Sequence, residues 1–175
     1  MDMCIYRYMD TPLGAITVAA HGEAVCGLWF AGQKYERAGL PVDAVCGDAP
    51  VLDAAEAWLG RYFAGQQPGE LPPLEMSGSE FRRAVMEEML TIPRGQTATY
   101  GELAQRLRRR GFERACARAV GTAVGHNPIS IFVPCHRVVG AGGALTGYAG
   151  GLERKRFLLE LEGAAQKSSK KPGKK

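Results

Sequence analysis

A chain of 175 residues, 46% hydrophobic and 23% charged, has an ordinary globular composition and is long enough for one sizeable domain or two small ones. No apolar run reaches membrane-spanning length and no signal-peptide pattern opens the chain, so the expected setting is the cytoplasm, with no membrane partner. The five cysteines (Cys4, Cys26, Cys46, Cys116, Cys135) are odd in number and form no Cys-x-x-Cys pair, which argues against a disulfide framework or a zinc ribbon.

Strand composition marks Cys4 to Met9, Ala15 to Ala20 and Val25 to Phe30, with a turn at Thr11-Pro12-Leu13-Gly14. Asp53 is placed to cap a helix running to about Ala64, with Ala55, Trp58, Leu59, Tyr62 and Phe63 on one apolar face. Three prolines and three glycines between Gly65 and Gly78 read as an interdomain connection. A helix follows from about Glu80, its Phe81, Val85, Met89 and Leu90 at helical spacing, and Pro93 lies just beyond it. Thr99-x-x-Glu102 is a capping box opening a third helix, with Leu103 and Leu107 facing inward. A fourth covers roughly Arg114 to Val124 and stops at Gly125 and Asn127-Pro128. These two short helices look like a helix-turn-helix. Ile129 to Val133 reads as a short buried strand, Gly140 to Gly143 as a turn, and Leu152 to about Leu161 as a last helix ending at Gly163. The end of the chain, Lys167 to Lys175, is low-complexity and expected to be disordered. Its five lysines outweigh the formal net charge of +4, leaving −1 on the rest of the chain. The tail is either a solubilising end or a weak attractor of phosphates, and any stronger nucleic-acid affinity must come from a local patch.

Pro134-Cys135-His136-Arg137-Val138-Val139 is where chemistry concentrates. A cysteine just past a strand end, behind a proline, is held rigidly and can face a cleft. The imidazole beside it can help form the thiolate, the species that attacks electrophiles. Taken alone, a Cys-His pair is more often incidental, and a free cysteine is often only a small buried hydrophobe.

The longer string from Asn127-Pro128-Ile129-Ser130 through Pro134-Cys135-His136-Arg137 to Gly140 resembles the active-site signature of the O6-alkylguanine-DNA alkyltransferases, also called methylated-DNA–protein-cysteine methyltransferases. The resemblance extends from Thr11-Pro12-Leu13-Gly14 to Glu162-Gly163. It includes Ile92-Pro93-x-Gly95, Thr99-Tyr100-Gly101-Glu102-Leu103-Ala104, Ala117-Arg118-Ala119-Val120-Gly121 and Tyr148-Ala149-Gly150-Gly151-Leu152. It implies an α/β N-terminal domain, ribonuclease-H-like, over residues 1–76. It also implies a mostly α, winged-helix-turn-helix-like domain over 77–166 that binds DNA and accepts the alkyl group, with the tail at 167–175. The implied activity is single-turnover transfer of an alkyl group from O6-alkylguanine in double-stranded DNA, by a monomer with no cofactor and no metal. A thiolate suits such a poor electrophile better than a serine does. By resemblance Cys135 is the acceptor, His136 activates it through a water, Glu162 orients His136, and Asn127 braces the turn. The target atom is out of reach in a duplex, so the base must leave the stack. Arg118 then matches the group that fills the gap in the duplex. Tyr100, Arg137, Val138, Tyr148, Ala149, Gly150 and Gly151 match residues that contact DNA or line the guanine pocket.

Four departures stand out. The stretch Arg106 to Arg114 is longer than is common in the family, and its extra arginines are placed to add phosphate contacts. Ser130 replaces a pocket-shaping proline of some relatives, and Met86 an expected tryptophan. Cys4, His21 and Cys26 lie near positions that bind zinc in some relatives, but the fourth ligand of a tetrahedral site is missing. Two other readings compete. A binding-only alkylguanine sensor keeps the fold and lacks the cysteine. A thiol hydrolase built on Cys135 and His136 needs an oxyanion hole that nothing here marks.

Overall fold

The computed structural model describes residues 3–164, so the expectation of a disordered lysine tail falls outside the described residues. The N-terminal half is built on a sheet of order β3-β2-β1-β4. Strands β1 (Cys4–Thr11), β2 (Gly14–His21) and β3 (Ala24–Phe30) form an antiparallel meander, and β4 (Val45–Cys46) adds a short parallel partner to β1. Thr11 closes the first hairpin: its hydroxyl donates to the Gly14 carbonyl and accepts from the Leu13 amide. Helix α1 (Pro50–Phe63) lays Leu52, Ala55, Leu59 and Tyr62 into the core beside this sheet.

Asp53 does not cap α1. The helix begins at Pro50, whose fixed φ and missing N–H suit a first helical position. Asp53 sits inside the first turn, where a carboxylate complements the helix dipole, and meets Arg7 at 2.9 Å. Arg7 also reaches Asp48 and Glu56, tying β1 to the start of α1.

The C-terminal half is helical. Helix α2 (Glu80–Leu90) is capped by Ser79, which accepts from the Arg82 amide. Helix α3 (Tyr100–Arg109) carries the expected reciprocal Thr99–Glu102 capping box. Helix α4 (Ala117–Gly125) starts three residues later than Arg114, because the Arg108 guanidinium captures the Ala115 carbonyl at 2.6 Å. Two pieces too short to show as a pattern, β5 (Ala98–Thr99) and β6 (Val138–Val139), pair in parallel. Helix α5 (Leu152–Leu161) closes the described chain.

The two halves meet along the outer edge of β3. The connection after Gly65 lies against this strand: the Val25 amide donates to Pro73 and the Glu75 amide to Val25. Further along the same edge, the Leu28 amide donates to Pro128 and the Ser130 amide to Leu28. An otherwise unpaired strand edge is thereby covered. One hydrophobic core runs through both halves, from Ile16, Leu28 and Phe30 to Val85, Leu103, Phe132 and Leu158.

Ile129 to Val133 is not a strand. Its composition is buried as expected, but only Ile129 bridges to Leu28, and the chain then turns, with Ile131 at φ 70°. A β-branched residue at positive φ is strained, and the surrounding hydrogen bonds hold it there. Leu28 is fully buried where this turn docks. Leu28→Ala should lower unfolding free energy by about 3 kcal/mol through the cavity it leaves. Urea unfolding would measure it, and a loss well under about 1 kcal/mol would show that the docking region collapses freely around the gap.

Candidate active site

Cys135 opens a single 3-10 turn, Cys135–Arg137, and is 4% exposed. Asn127 holds the loop before it from both ends. Its Oδ1 accepts from the Ile129 amide at 3.0 Å, and its Nδ2 donates to the Val133 carbonyl at 2.9 Å. Burial pushes the Cys135 thiol above its ordinary value; hydrogen bonding with Asn127 and Ser130 and the charge of Lys155 oppose this only in part. The resting sulfur is therefore a thiol that needs a base.

The base is next to it in sequence. His136 is fully buried, and its Nε2 lies 2.7 Å from Glu162 Oε1. Burial by itself would raise the Glu162 carboxyl. Hydrogen bonds from His136 and Arg137, with their charges, reverse that and hold it well below the usual carboxylate range. An ionised carboxylate only accepts, so the imidazole proton sits on Nε2 and Nδ1 is left as an acceptor. Nδ1 is buried and has no hydrogen-bond partner among the described residues. Burial lowers the His136 pKa, Glu162 opposing, so the ring rests neutral and able to take a proton.

Two residues enter the site that pattern reading placed elsewhere or passed over. Tyr62, read as one of several apolar-face residues of the first helix, donates its hydroxyl to Glu162 Oε1 at 2.7 Å. Lys155 on α5 is wholly buried, with no carboxylate partner among the described residues; its ammonium donates to the carbonyls of Val138, Thr146 and Gly147. Burial draws it down to about 8, with Cys135 opposing. The available signal was helical spacing: Lys155 lies three and four residues before buried Leu158 and Leu159, and seven before Glu162.

A cavity of about 440 Å³ opens between α3, α4 and the segment after Thr146, lined by Tyr100, Gly121, Thr122, Gly147, Tyr148 and Ala149, with Lys34 and Tyr35 at its rim. The Tyr100 hydroxyl donates to the Thr146 carbonyl at 3.0 Å. The Tyr148 hydroxyl is buried and faces the Cys135 sulfur; burial, then that sulfur, push it well above the usual phenol value. Gly150 is required by space: a Cβ there would lie 2.9 Å from Phe30 and from Tyr148. Gly151, at φ 89°, turns the chain into α5. Val138 is buried in β6 and gives its carbonyl to Lys155.

Cys135, His136, Glu162, Asn127, Val138 and Tyr148 therefore gather around one turn; Tyr100 and Ala149 line the cavity with Tyr148, and Gly150 and Gly151 follow it directly in the chain. Arg118 stands apart, exposed at the start of α4. Arg137, expected to contact DNA or line the pocket, has its guanidinium engaged within the fold. Nε and Nη2 grip both oxygens of Glu162 at 2.8 and 2.9 Å, and Nη1 donates to Ile92. Several arginines of the Arg106 to Arg114 stretch bond within the fold. Arg106 bonds Thr91, Arg108 bonds Ala115, and Arg110 bonds Glu87 and Glu88, which leaves Arg109 and Arg114 as its free cations among the described residues. Cys4 and Cys26 meet at 3.7 Å while His21 turns to Glu75 at 2.9 Å; among the described residues no group of three or more His, Cys, Asp or Glu is arranged to hold a metal.

Comparison with known proteins follows the same division of the chain. A family model described as the 6-O-methylguanine DNA methyltransferase ribonuclease-like domain matches residues 4–72, and one described as the DNA binding domain matches residues 80–164. The methylated-DNA–protein-cysteine methyltransferase of Mycobacterium bovis is 44% identical over 160 residues, covering 91% of this chain and 93% of that protein. The crystal structure of Mycobacterium tuberculosis OGT in complex with DNA superposes with a TM-score of 0.79 at 43% identity, covering 91% of this chain and 92% of that one. The O6-methylguanine methyltransferase of the same organism gives 0.79 at 43%, covering 92% and 93%.

The depressed Glu162 carboxyl has a consequence for stability. Its folded pKa lies below the ordinary value of 4.5, so it stabilises the fold at pH above 4.5 and that contribution is lost as pH falls further. Glu162→Gln should cost about 3 kcal/mol near neutral pH by leaving Arg137 buried without its partner. The gap between the two proteins should close as the medium is acidified. Urea midpoints measured against pH would check this; a gap that stays constant down to strongly acidic pH would contradict it.

Proposed function

The chain belongs to the 6-O-methylguanine DNA methyltransferase family, and on that footing we propose that it repairs O6-alkylguanine in DNA by moving the alkyl group onto Cys135. The observation that carries this reading is an ionised Glu162 bonded to a neutral His136 whose Nδ1 is left unbonded among the described residues, next in sequence to a buried thiol that faces Tyr148, a residue of the cavity lining. The thiol proton passes to His136 Nδ1, through a water in the family's manner. The sulfur attacks the alkyl carbon, a C–S bond forms as the C–O6 bond breaks, and the proton held by the imidazolium is available to the departing guanine. The thioether is stable, so each molecule acts once.

The cavity lined by Tyr100, Gly147 and Tyr148 suits a flipped base, and the segment from Gly147 to Ala149 forms one wall of it. Arg118 is the candidate for the space the base vacates: its guanidinium is exposed at the first turn of α4 and meets no partner among the described residues. Flipping from the minor groove, with α4 as the recognition helix, is what the resemblance implies, and the mycobacterial relative is known in complex with DNA. The sheet of the first half supports a ribonuclease-H-like assignment for residues 1–76. Packing of α2, α3 and α4 with the β5–β6 pair supports a winged-helix-turn-helix-like one for 77–166. A cytoplasmic monomer remains the proposed setting; no described helix is long and apolar enough to cross a membrane.

Incubation with a methylated duplex should add one methyl mass per molecule, mapped to Cys135. Cys135→Ser should abolish transfer and leave DNA binding intact, because the hydroxyl is not ionised near neutral pH. An unmodified wild-type protein would favour a binding-only sensor, and turnover without modification a hydrolase. Arg118→Ala should slow transfer from a duplex by about tenfold while sparing short single strands, whose bases need no replacement in a stack. Equal slowing on both substrates would remove Arg118 from the finger role.

A further inference from the structure

We propose that Tyr62, contributed by the N-terminal helix α1, is a positioning residue of the acceptor site that keeps His136 in its neutral, proton-accepting form by sharing Glu162 Oε1 with it. The inference rests on the alkyl-acceptor reading above and extends it across the junction of the two halves.

Tyr62 is 1% exposed, and its ring is fixed on several sides. It stacks on Trp58 at 5.2 Å and 10°, packs edge-on to Phe63 at 5.4 Å, and carries the Arg94 guanidinium 5.5 Å from its centroid. Trp58 in turn lies 5.0 Å from Phe132, in the turn before Cys135. A phenylalanine would satisfy all of that packing. What phenylalanine lacks is the hydroxyl, and a buried hydroxyl is unfavourable unless bonded. Here it bonds Glu162, 100 residues away in sequence, at 2.7 Å, and stands 3.5 Å from His136 Nε2.

Glu162 Oε1 thus receives His136 Nε2, Arg137 Nη2 and the Tyr62 hydroxyl, while Oε2 receives Arg137 Nε. Each added donor draws charge from Oε1 and weakens its hold on an imidazolium. The other groups that face the pair are the Arg137 and Lys155 charges, which disfavour the imidazolium, the Cys135 sulfur, and Arg94 behind the Tyr62 ring. None of these would replace the lost donor. Without the hydroxyl, Oε1 binds the imidazolium more strongly, the His136 pKa rises, and less neutral base is present near neutral pH.

The test is Tyr62→Phe in the full chain, with transfer rates measured against pH on a methylated duplex and on free O6-benzylguanine. The acid limb should move up by roughly one pH unit, and the rate at pH 7 should fall by up to about threefold. The fall should be equal on both substrates, since Tyr62 does not face the cavity, and half-saturation by DNA should not change. Because the protein reacts once, the final alkyl count per molecule reports the folded fraction separately from the rate. NMR titration of His136 should show the same upward shift. Superimposable pH profiles, or slowing confined to the duplex, would overturn the proposal. Should the phenylalanine variant fail to reach a full endpoint, difluorotyrosine placed at Tyr62, a stronger donor, must move the limb downward, and an unmoved limb would overturn it equally. A wild-type protein that accepts no alkyl group at Cys135 would instead remove the function on which the inference stands.

Discussion

The buried carboxylate of Glu162 is the interaction on which the rest of the site depends. Its side chain is removed from water, and a buried charge is tolerated only when its lone pairs are met by donors. Those donors come from three places: Tyr62 on α1, His136 on the nucleophile turn, and Arg137 next to it. The carboxylate sits at the C-terminal end of α5, so one charge ties the first helix, the reactive turn and the last helix together. It also chooses the imidazole tautomer. A carboxylate that only accepts fixes the proton on Nε2, which leaves Nδ1 free on the side where a base is needed.

Lys155 supplies a second buried charge of opposite sign, with no carboxylate partner among the described residues. Three carbonyls of the pocket wall and of β6 accept from it, so the charge that faces Cys135 also fixes the cavity wall beside β6. Burial nonetheless keeps the resting sulfur protonated. A thiol that stays protonated until a base and a substrate are both present is less exposed to stray oxidation than a standing thiolate. That matters for a protein whose acceptor can be used only once.

The exposed edge of β3 explains why the reactive turn has its unusual form. A regular strand at Ile129 to Val133 would have continued along that edge and carried Cys135 away from α5. Instead, two hydrogen bonds with Leu28 anchor the start of the segment, Asn127 brackets it, and the chain reverses through Ile131 at positive φ. The connection after Gly65 occupies the neighbouring part of the same edge, which draws both halves onto one core.

Much of this was legible in order of residues alone. Strand composition marked the three long strands, the Thr99–Glu102 box located α3, and the Pro134-Cys135-His136-Arg137 string, with the resemblance that adds Glu162, pointed to a candidate reactive group and its partners. These signals are local, or are long enough to be distinctive. What composition could not distinguish was a buried turn from a buried strand at Ile129 to Val133, since both require apolar, β-branched side chains. Nor could it foresee that Arg137 grips Glu162, that Arg108 and Arg110 bond within the fold, or that Tyr62 and Lys155 lie beside the reactive turn. Each of those outcomes depends on which group from a distant segment arrives within 3 Å or so of a charge. Spacing along the chain records the face a side chain occupies; only the packed structure decides what it meets there.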